Sequence, residues 1–569
     1  MGLKPHPSSD LNEMPRLPEY LEPIPKWEPH ERPSMPGSPS TPSHSPPLRV
    51  AFALVAVLLG ITGGLGNALI SANLANVQGH LGLTPSEGAW LPAAYLMVNI
   101  STSLVLIKFR QQYGLRRFAE IGLSIYVLLT VAHVFVEGFA MAVFVRAASG
   151  FAGATVSTLA VLYMLQAFKK ADMGRGLVLG VGISQLATPL AWLLSPALLD
   201  LGEWHRLYVF EAGLALCSLA AVVVLKLPPG ERIKIFESLD FVTFALLAPG
   251  LALVAAVLTQ GRVQWWNSQP WMGYALLASV ILLTAAFIIE YNRKNPLLQT
   301  RWLGSLETLR FAMGAMMLRF ILSEQNFGAV GLLQTLGMGA DQLHSLYAVM
   351  LAGLLGGICT SALTFSQKAV IPQILTSIVL IGLGSFMDAD ATNLTRPRDM
   401  FVSQGLLSFA AGMFMGPLML IGVMSALKNG PQYMVSFAVL FSLTQSIGGL
   451  AGPAAFGSFQ VIREKFHSSQ INGHLDPTNP VVAQRLQVQS QIYSATQTDP
   501  VLRQAQGISQ LSAAASREAN VLAFNDVFRV IGLLTISFLS WSLFHTVRAA
   551  WAAKKTEQLQ TDTPPPVTV

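Results

Sequence analysis

Long apolar runs separated by mostly short polar connections make up the chain from Arg49 onward. A helix needs about 20 apolar residues to cross the hydrocarbon core of a bilayer. We predict fourteen transmembrane spans, numbered in chain order, near 50–73, 90–107, 118–136, 139–167, 177–199, 207–226, 239–260, 270–290, 307–335, 343–366, 370–388, 400–425, 434–460 and 523–548. The pattern therefore predicts an all-α integral membrane protein.

Composition agrees with this pattern. The 569 residues are 52% hydrophobic and 12% charged, whereas about a quarter of a soluble domain is charged. The net charge of +6 comes mostly from basic residues in the connections, so it does not indicate a nucleic-acid partner. Both cysteines, Cys217 and Cys359, lie in apolar runs and are interpreted as packing residues.

Lysine and arginine are distributed unequally between the two sets of connections. Connections after odd-numbered spans hold four: Arg206, Arg262, Arg396 and Arg398. Connections after even-numbered spans hold fifteen: Lys108, Arg110, Arg116, Arg117, Lys169, Lys170, Arg175, Lys226, Arg232, Lys234, Arg293, Lys294, Arg301, Lys368 and Lys428. Because basic residues accumulate in cytoplasmic loops, we predict that both termini are cytoplasmic.

Three polar segments lie outside the spans. Residues 1–48 are rich in Pro and Ser, which predicts a disordered cytoplasmic tail, and residues 553–569 form a second cytoplasmic tail. The connection Val461–Val521 is predicted to lie outside, with amphipathic helices near 481–493 and 501–523. A loop of this length in a compact protein is usually either functional or disordered.

The sequence contains no motif of a soluble enzyme. We find no HExxH, no cysteine pair at zinc spacing, no phosphate-binding loop and no GxSxG turn. We therefore predict no enzymatic activity, no cofactor and no metal. Uphill transport by this chain would have to draw on an ion gradient.

Arg146 is the first ionisable residue that the apolar pattern singles out, because it interrupts the apolar run of span 4. A charge at the centre of a membrane helix costs about 2.5–3.5 kcal/mol on insertion scales, so it normally faces a protein interior. Gly150 and Gly153 share its helical face and leave room for a groove. The alternative is an arginine near the outer end that reaches the lipid headgroups.

Span 9 holds two further ionisable groups, Arg319 and Glu324. They are five residues apart, about 140° around a helix, and so cannot pair well with each other. Glu324 is predicted either to carry a proton or to form a static ion pair with another helix. His133 at the outer end of span 3 and Glu211 early in span 6 are further candidates for substrate or proton binding.

The run Phe144-Val-Arg-Ala-Ala-Ser-Gly-Phe-Ala-Gly-Ala resembles the span-4 motif of the major facilitator superfamily, in particular its fourteen-helix drug:proton antiporters of the EmrB/QacA group. Ser86-Glu-Gly-Ala-Trp before span 2 and Arg463-Glu-Lys-Phe-His after span 13 are also similar. The resemblance implies a major facilitator fold, with a six-helix bundle at 49–226, two additional central helices at 227–305 and a second six-helix bundle at 306–552. It links Arg146 to proton coupling, and the long outer loop implies a periplasmic adaptor and an outer-membrane channel as partners.

The chain departs from that group at several positions. The loop between spans 2 and 3 reads Gln111-Gln-Tyr-Gly, without the aspartate of the family motif. The aspartate that EmrB-like pumps carry in span 1 falls near Gly66 and Asn67, which cannot hold a proton. Of the Gly-Pro-rich motif of span 5, Pro189 remains. These losses favour Glu324 as the protonatable group.

We therefore expect proton-coupled export of small amphipathic or aromatic compounds, such as drugs or weak acids, across a bacterial inner membrane. Arg146, Arg319, Glu324, Asn67, His133 and Glu211 are the predicted substrate- and proton-binding residues. Two alternatives stay open. The protein could be an uncoupled facilitator or uptake carrier, or it could be a membrane receptor or scaffold that transports nothing.

The charge asymmetry makes a testable prediction about topology. A tag inserted within Val461–Val521 should react with a membrane-impermeant reagent added from outside, because few basic residues anchor that side. A tag inserted within Lys226–Leu239 should react only after the membrane is permeabilised. The opposite labelling pattern would overturn the predicted orientation.

Overall fold

A computed structural model describes residues 20–23, 27–28, 31–33, 37–199, 205–293, 295–430, 432–476 and 478–561. Within these ranges the chain is helical, and its only β-structure is one isolated bridge between Tyr20 and Ile233. The membrane helices, numbered α1 to α14, are Pro46–Ala72, Pro85–Tyr113, Leu115–His133, Phe139–Gln166, Lys170–Leu198, His205–Val224, Ser238–Gln260, Pro270–Tyr291, 306–335, Ala340–Leu363, Val370–Met387, Phe401–Asn429, Tyr433–Gly473 and Pro500–Thr561.

Twelve of the described helices are long and apolar enough to cross a membrane. The other two predicted spans correspond to α3, which carries more charge, and to α9, which is interrupted. In α9 a π-helical segment, Glu324–Ala329, separates Leu306–Ile321 from Val330–Thr335. The all-α fold is thus confirmed. Helix ends are called cytoplasmic or outer below according to the predicted orientation.

Two large apolar cores lie in the two halves of the chain. One is built on α1, α3, α4 and α6 around Phe52, Tyr126 and Tyr163. The other is built on α9 to α14 around Phe414 and Phe528. Small residues let the halves approach each other where α5 meets α10 and α12. A Cβ at Gly182, for example, would lie 2.9 Å from the Ile358 side chain.

The central pair α7 and α8 is fixed to α2 by a buried ionic network at its cytoplasmic end. The Lys108 ammonium donates to Asp240 at 2.6 Å, and Arg293 donates to the other oxygen of Asp240 at 2.9 Å. Arg293 also reaches Glu290 at 2.7 Å and Glu237 at 2.9 Å. Burial opposes the charge of Arg293, but the hydrogen bonds that it donates to three carboxylates raise its pKa above the ordinary value.

The predicted outer loop is largely helical. α13 continues to Gly473, a short helix spans Pro480–Gln491, and α14 begins at Pro500. The amphipathic helix predicted at 501–523 is therefore the outer part of α14 and not a separate element. With 62 residues, α14 is about 93 Å long at 1.5 Å per residue, roughly three times the hydrocarbon thickness.

Residues 37–48 differ from the predicted disordered tail. Ser38 and Ser40 are buried on the cytoplasmic face of the N-terminal half, and α1 begins at Pro46. The Ser40 N–H donates to the Pro229 carbonyl at 3.1 Å, and its carbonyl accepts from the Gln166 side chain at 3.0 Å. These partners are distant in sequence, so composition could not reveal them. Residues 1–19 lie outside the described part of the chain.

The ionic network predicts unequal effects of two similar substitutions. Asp240→Asn removes the carboxylate that faces the buried Lys108, so it should destabilise the protein by about 3–5 kcal/mol, as breaking a buried ion pair does. Glu237→Gln is the matched control. Its side chain is 45% exposed, so its loss should cost at most about 1 kcal/mol. Denaturant unfolding in mixed micelles measures both, and equal effects would contradict the network's role.

Candidate transport site

Arg146 lies inside the N-terminal half and not at the headgroups. Its side chain is among the largest fully buried ones, and the residue is 1% exposed. One terminal nitrogen donates to the Gly66 carbonyl at 2.7 Å and the other to Asn67 Oδ1 at 2.8 Å. The guanidinium also lies over the Tyr95 ring, 4.8 Å from its centre. The alternative of an arginine reaching the outer headgroups is therefore wrong.

The two glycines on the same face explain why α4 can approach α2 so closely. A Cβ on Gly150 would lie 2.2 Å from the Tyr95 carbonyl oxygen, and one on Gly153 would lie 2.4 Å from the Tyr95 hydroxyl. The Gly150 carbonyl also accepts a hydrogen bond from Asn99 at 2.9 Å. The groove predicted from the glycine spacing is occupied by Tyr95, which presents its ring to Arg146.

Glu211 places a carboxylate beside the same stretch of α1. It is 1% exposed, and its Oε1 accepts a hydrogen bond from the Tyr126 hydroxyl at 3.0 Å. A Cβ on Gly66 would lie 2.9 Å from this oxygen. Among the described residues, the second oxygen, Oε2, has no hydrogen-bond partner. We call Arg146, Asn67, Tyr95, Tyr126 and Glu211 the arginine cluster.

His133 borders the arginine cluster. It is 1% exposed and stacks on the Tyr208 ring with a centre-to-centre distance of 4.7 Å. Its Nδ1 lies 2.9 Å from the Leu129 carbonyl, which can only accept, so Nδ1 carries a proton. His133 Nε2 and Arg146 Nε have no partner in the described structure. Buried polar atoms are normally satisfied, so these atoms leave capacity for water, a proton or a substrate.

A second polar cluster lies in the C-terminal half around Glu324, which is 0% exposed. The side-chain amide nitrogen of Gln404 lies 3.2 Å and 3.3 Å from the two Glu324 oxygens. The same nitrogen donates to Asp388 Oδ2 at 2.7 Å, and the Ser403 hydroxyl donates to Asp388 Oδ1 at 2.5 Å. One amide therefore joins two buried acids, Glu324 and Asp388, which we call the carboxylate pair.

The carboxylate pair has no cationic partner in the part of the chain that the structure describes. Among the described residues, no lysine, arginine or histidine nitrogen lies within 4.0 Å of either Glu324 or Asp388. The alternative of a static ion pair for Glu324 is therefore wrong. Glu324 also begins the π-helical segment of α9, and such bulges occur often at functional sites.

Arg319 does not approach Glu324 in the described structure. It is partly buried against the glycines of α13, since a Cβ on Gly448 would lie 3.0 Å from Arg319 Cβ. A Cβ on Gly449 would lie 3.3 Å from the Arg319 Nε. The glycine pair thus provides the space in which the Arg319 side chain lies. The predicted residues accordingly fall into three places: the arginine cluster with His133, the carboxylate pair, and Arg319.

Sequence reasoning missed Asp388, Gln404 and Tyr126. Asp388 stands at the outer end of a predicted span, where an acidic residue normally marks only the start of a loop. Gln404 and Tyr126 are uncharged, and neither belongs to a recognisable sequence motif. The available signal was the position of Asp388 and Gln404 near the ends of apolar runs. A polar side chain there needs a hydrogen-bond partner if it is buried.

Fourteen helical segments with isolated polar clusters in both halves define a polytopic membrane transporter. The chain belongs to the Major Facilitator Superfamily, whose family model matches residues 53–453. Within that superfamily it groups with multidrug proteins of the EmrB type, and the predicted resemblance is confirmed.

Curated relatives match most of the chain at low identity. Multidrug export protein EmrB of Haemophilus influenzae is 21% identical over 520 residues, which is 87% of this chain and 96% of the relative. Multidrug resistance protein 3 of Bacillus subtilis is 21% identical over 421 residues, covering 72% and 79%. The probable multidrug resistance protein EmrY of Escherichia coli is 19% identical over 494 residues, covering 84% and 92%.

A solved structure supports the fold. The human organic anion transporter MFSD10 (TETRAN) superposes with a TM-score of 0.53 at 13% identity, and the match covers 86% of this chain and 99% of that one. At this identity the match establishes the major facilitator fold of the chain.

The close contact between α4 and α2 makes a testable prediction. Gly150→Ala should push the helices apart at Tyr95 and destabilise the protein by about 1–3 kcal/mol, as overpacking does. Gly213→Ala in α6 is the matched control, since a Cβ there would have no described neighbour outside its own helix within 4 Å. Unfolding in mixed micelles measures both. A Gly150→Ala protein as stable as the control would contradict the close contact of α4 with the α2 backbone at Tyr95.

Proposed function

We propose that this protein exports small amphipathic or aromatic compounds in exchange for protons. The observation that carries the proposal is the carboxylate pair, two buried acids joined by the Gln404 amide without a cation. Relatives named as multidrug resistance or export proteins support the direction and the substrate class. Span 1 has Asn67 near the position where EmrB-like pumps carry an acid. We therefore assign the protonatable group to the C-terminal half.

The physical chemistry of the carboxylate pair suits proton exchange. Two carboxylates that share a buried site repel each other when both are ionised, so the site is stabilised by holding one proton. The Gln404 side-chain amide has only two hydrogens to donate to the carboxylate pair. Glu324 therefore keeps a free lone pair that can bind the shared proton. A conformational change that opens the site to water would lower the cost of the second charge and release the proton.

The substrate class follows from the cations and rings. Arg146 and Arg319 offer positive charge inside the protein, which suits weak acids. Aromatic surface is available in Tyr95, over which Arg146 lies, and in the stacked pair Trp192 and Tyr347, whose ring centres are 4.9 Å apart. Asn67, His133 and Glu211 complete the proposed substrate- and proton-binding residues of the N-terminal half.

The cellular setting belongs to the proposal as well. We place the protein in a bacterial inner membrane with both termini in the cytoplasm, as the basic connections indicate. The helical extension formed by the outer parts of α13 and α14 offers a surface for a periplasmic adaptor, which would lead the substrate to an outer-membrane channel. Arg463 and Asp526, 2.6 Å apart, join the two helices at the base of this extension.

Substituting the acids one at a time tests coupling. Glu324→Gln and Asp388→Asn each replace an acid by an amide that cannot exchange a proton. Export driven by a pH gradient should stop in both, while substrate exchange down its own gradient persists. Asp341→Asn, at an exposed position at the outer start of α10, is the control and should export normally. Flux in proteoliposomes with an imposed pH gradient measures all three.

Two outcomes would contradict the coupling role. Unimpaired pH-driven export by Glu324→Gln would return the search to Arg146, His133 and Glu211. If wild-type flux does not respond to a pH gradient at all, the protein is a facilitator instead of an antiporter.

Removing residues 480–510 tests the adaptor. The pairing of Gln460 with Asn520 places Gly473 near residue 511, so residues 474–479 can reconnect the two helices after the deletion. Membrane insertion and flux in proteoliposomes should persist, but whole-cell resistance should fall to the level of a strain lacking the protein. Unchanged resistance would make the extension a spacer without a partner.

A further inference from the structure

A cavity of about 700 Å³ lies between the central helix pair and the C-terminal half, near the cytoplasmic ends of the helices. One wall is formed by α7 and α8, with Leu247 and Phe287 facing the space. The opposite wall is formed by α9 and α13, with Leu309 and Leu443. Leu104 of α2 lies at the back. This volume is within the range of about 300–1,000 Å³ typical of small-molecule sites.

The cavity is apolar and opens toward the lipid. Its rim includes Phe287, Ile288 and Leu309, which are 46%, 58% and 47% exposed. Apolar cavities do not hold water, since water there finds too few hydrogen-bond partners. A space of this size that opens to hydrocarbon is therefore filled by hydrocarbon, and acyl chains are the hydrocarbon that surrounds it.

The cytoplasmic end of the cavity is polar, and a cation lies beside it. Tyr291, Asn292 and Thr300 line it, and no acidic residue is among the lining side chains. The Arg301 guanidinium lies over the Tyr291 ring, 5.1 Å from its centre. Arg301 forms no ion pair within the described part of the chain, whereas nearby Arg293 is fully engaged by three carboxylates. The Arg301 guanidinium is therefore available to bind an anion at the level of the lipid headgroups.

We propose that this cavity binds an anionic phospholipid of the inner leaflet. One acyl chain lies between α8 and α13, and the phosphate lies at Arg301 with Thr300 and Asn292 as further donors. Inside the bilayer an acyl chain gains little from leaving other chains, so the headgroup charge decides which lipid is preferred. Anionic lipids are attracted by juxtamembrane lysine and arginine in this way.

The site lies where the two halves meet, so its occupant would affect their movement. α7 and α8 are fixed to α2 of the N-terminal half through Lys108 and Asp240. α9 and α13 belong to the C-terminal half. The connection between α8 and α9 also lines the cavity, and its Gln299 N–H donates a hydrogen bond to the Ser436 hydroxyl of α13 at 2.8 Å. A lipid that fits one arrangement of these walls better than another shifts the population toward it.

Native mass spectrometry of the full chain in neutral detergent tests the site without any transport step, so its result is independent of proton coupling. The protein is titrated with dioleoyl phosphatidylglycerol or dioleoyl phosphatidylcholine, which differ only in their headgroups. We expect the wild type to prefer phosphatidylglycerol and Arg301→Gln to lower its affinity about fivefold. Leu440→Trp, which places a bulky indole inside the cavity, should weaken the preference. Lys428→Gln, an exposed cation on the same side, is the matched control.

Four results would overturn the proposal. Equal affinity of the wild type for the two lipids would remove the headgroup preference. Equal losses in Arg301→Gln and Lys428→Gln would assign the effect to overall surface charge. Unchanged binding by a folded Leu440→Trp protein would place the acyl chain elsewhere. Competitive displacement of phosphatidylglycerol by 1-naphthoate, an aromatic acid, would assign the cavity to a transported compound.

Discussion

The cost of an unpaired charge in hydrocarbon determines where ionisable groups within the membrane helices of this protein can lie. At about 2.5–3.5 kcal/mol for a residue at the centre of a membrane helix, such groups must face the interior and meet polar partners there. Arg146 does so through the backbone and side chain of α1 and the ring of Tyr95. At the cytoplasmic ends of the helices, the buried cations Lys108 and Arg293 share the carboxylate of Asp240. Close helix contacts, and the glycines that permit them, follow from this requirement.

The two halves of the transporter meet that requirement differently. In the N-terminal half the central charge is a cation held by neutral acceptors, and the nearby Glu211 binds a tyrosine hydroxyl. In the C-terminal half the central groups are two acids joined by an amide. A cation held by neutral groups keeps its charge, whereas paired acids favour exchange of a proton. This difference supports a division of labour in which Arg146 contributes to the binding of acidic substrates and the carboxylate pair to coupling.

The apolar pattern predicted the fourteen helical segments, and the spacing of Arg146, Gly150 and Gly153 predicted a buried groove. These features depend on local periodicity, which a sequence displays directly. The carboxylate pair could not be predicted, because Glu324 and Asp388 are 64 residues apart in the sequence and come together with Gln404 only in the fold. The helix near 501–523 was predicted, but its continuity with the last membrane span was missed, since that continuity depends on pairing with α13. The sequence pattern does not show which residues distant in the chain come into contact.

Infrared difference spectroscopy between acidic and basic pH tests most directly whether the carboxylate pair shares one proton. Protonated carboxyl groups absorb in a region where ionised ones do not, and burial separates this band from those of exposed acids. The account predicts one such band in the wild type, and its loss or displacement in both Glu324→Gln and Asp388→Asn, because a shared proton depends on both acids. Two independent bands, each removed by only one of the substitutions, would contradict it.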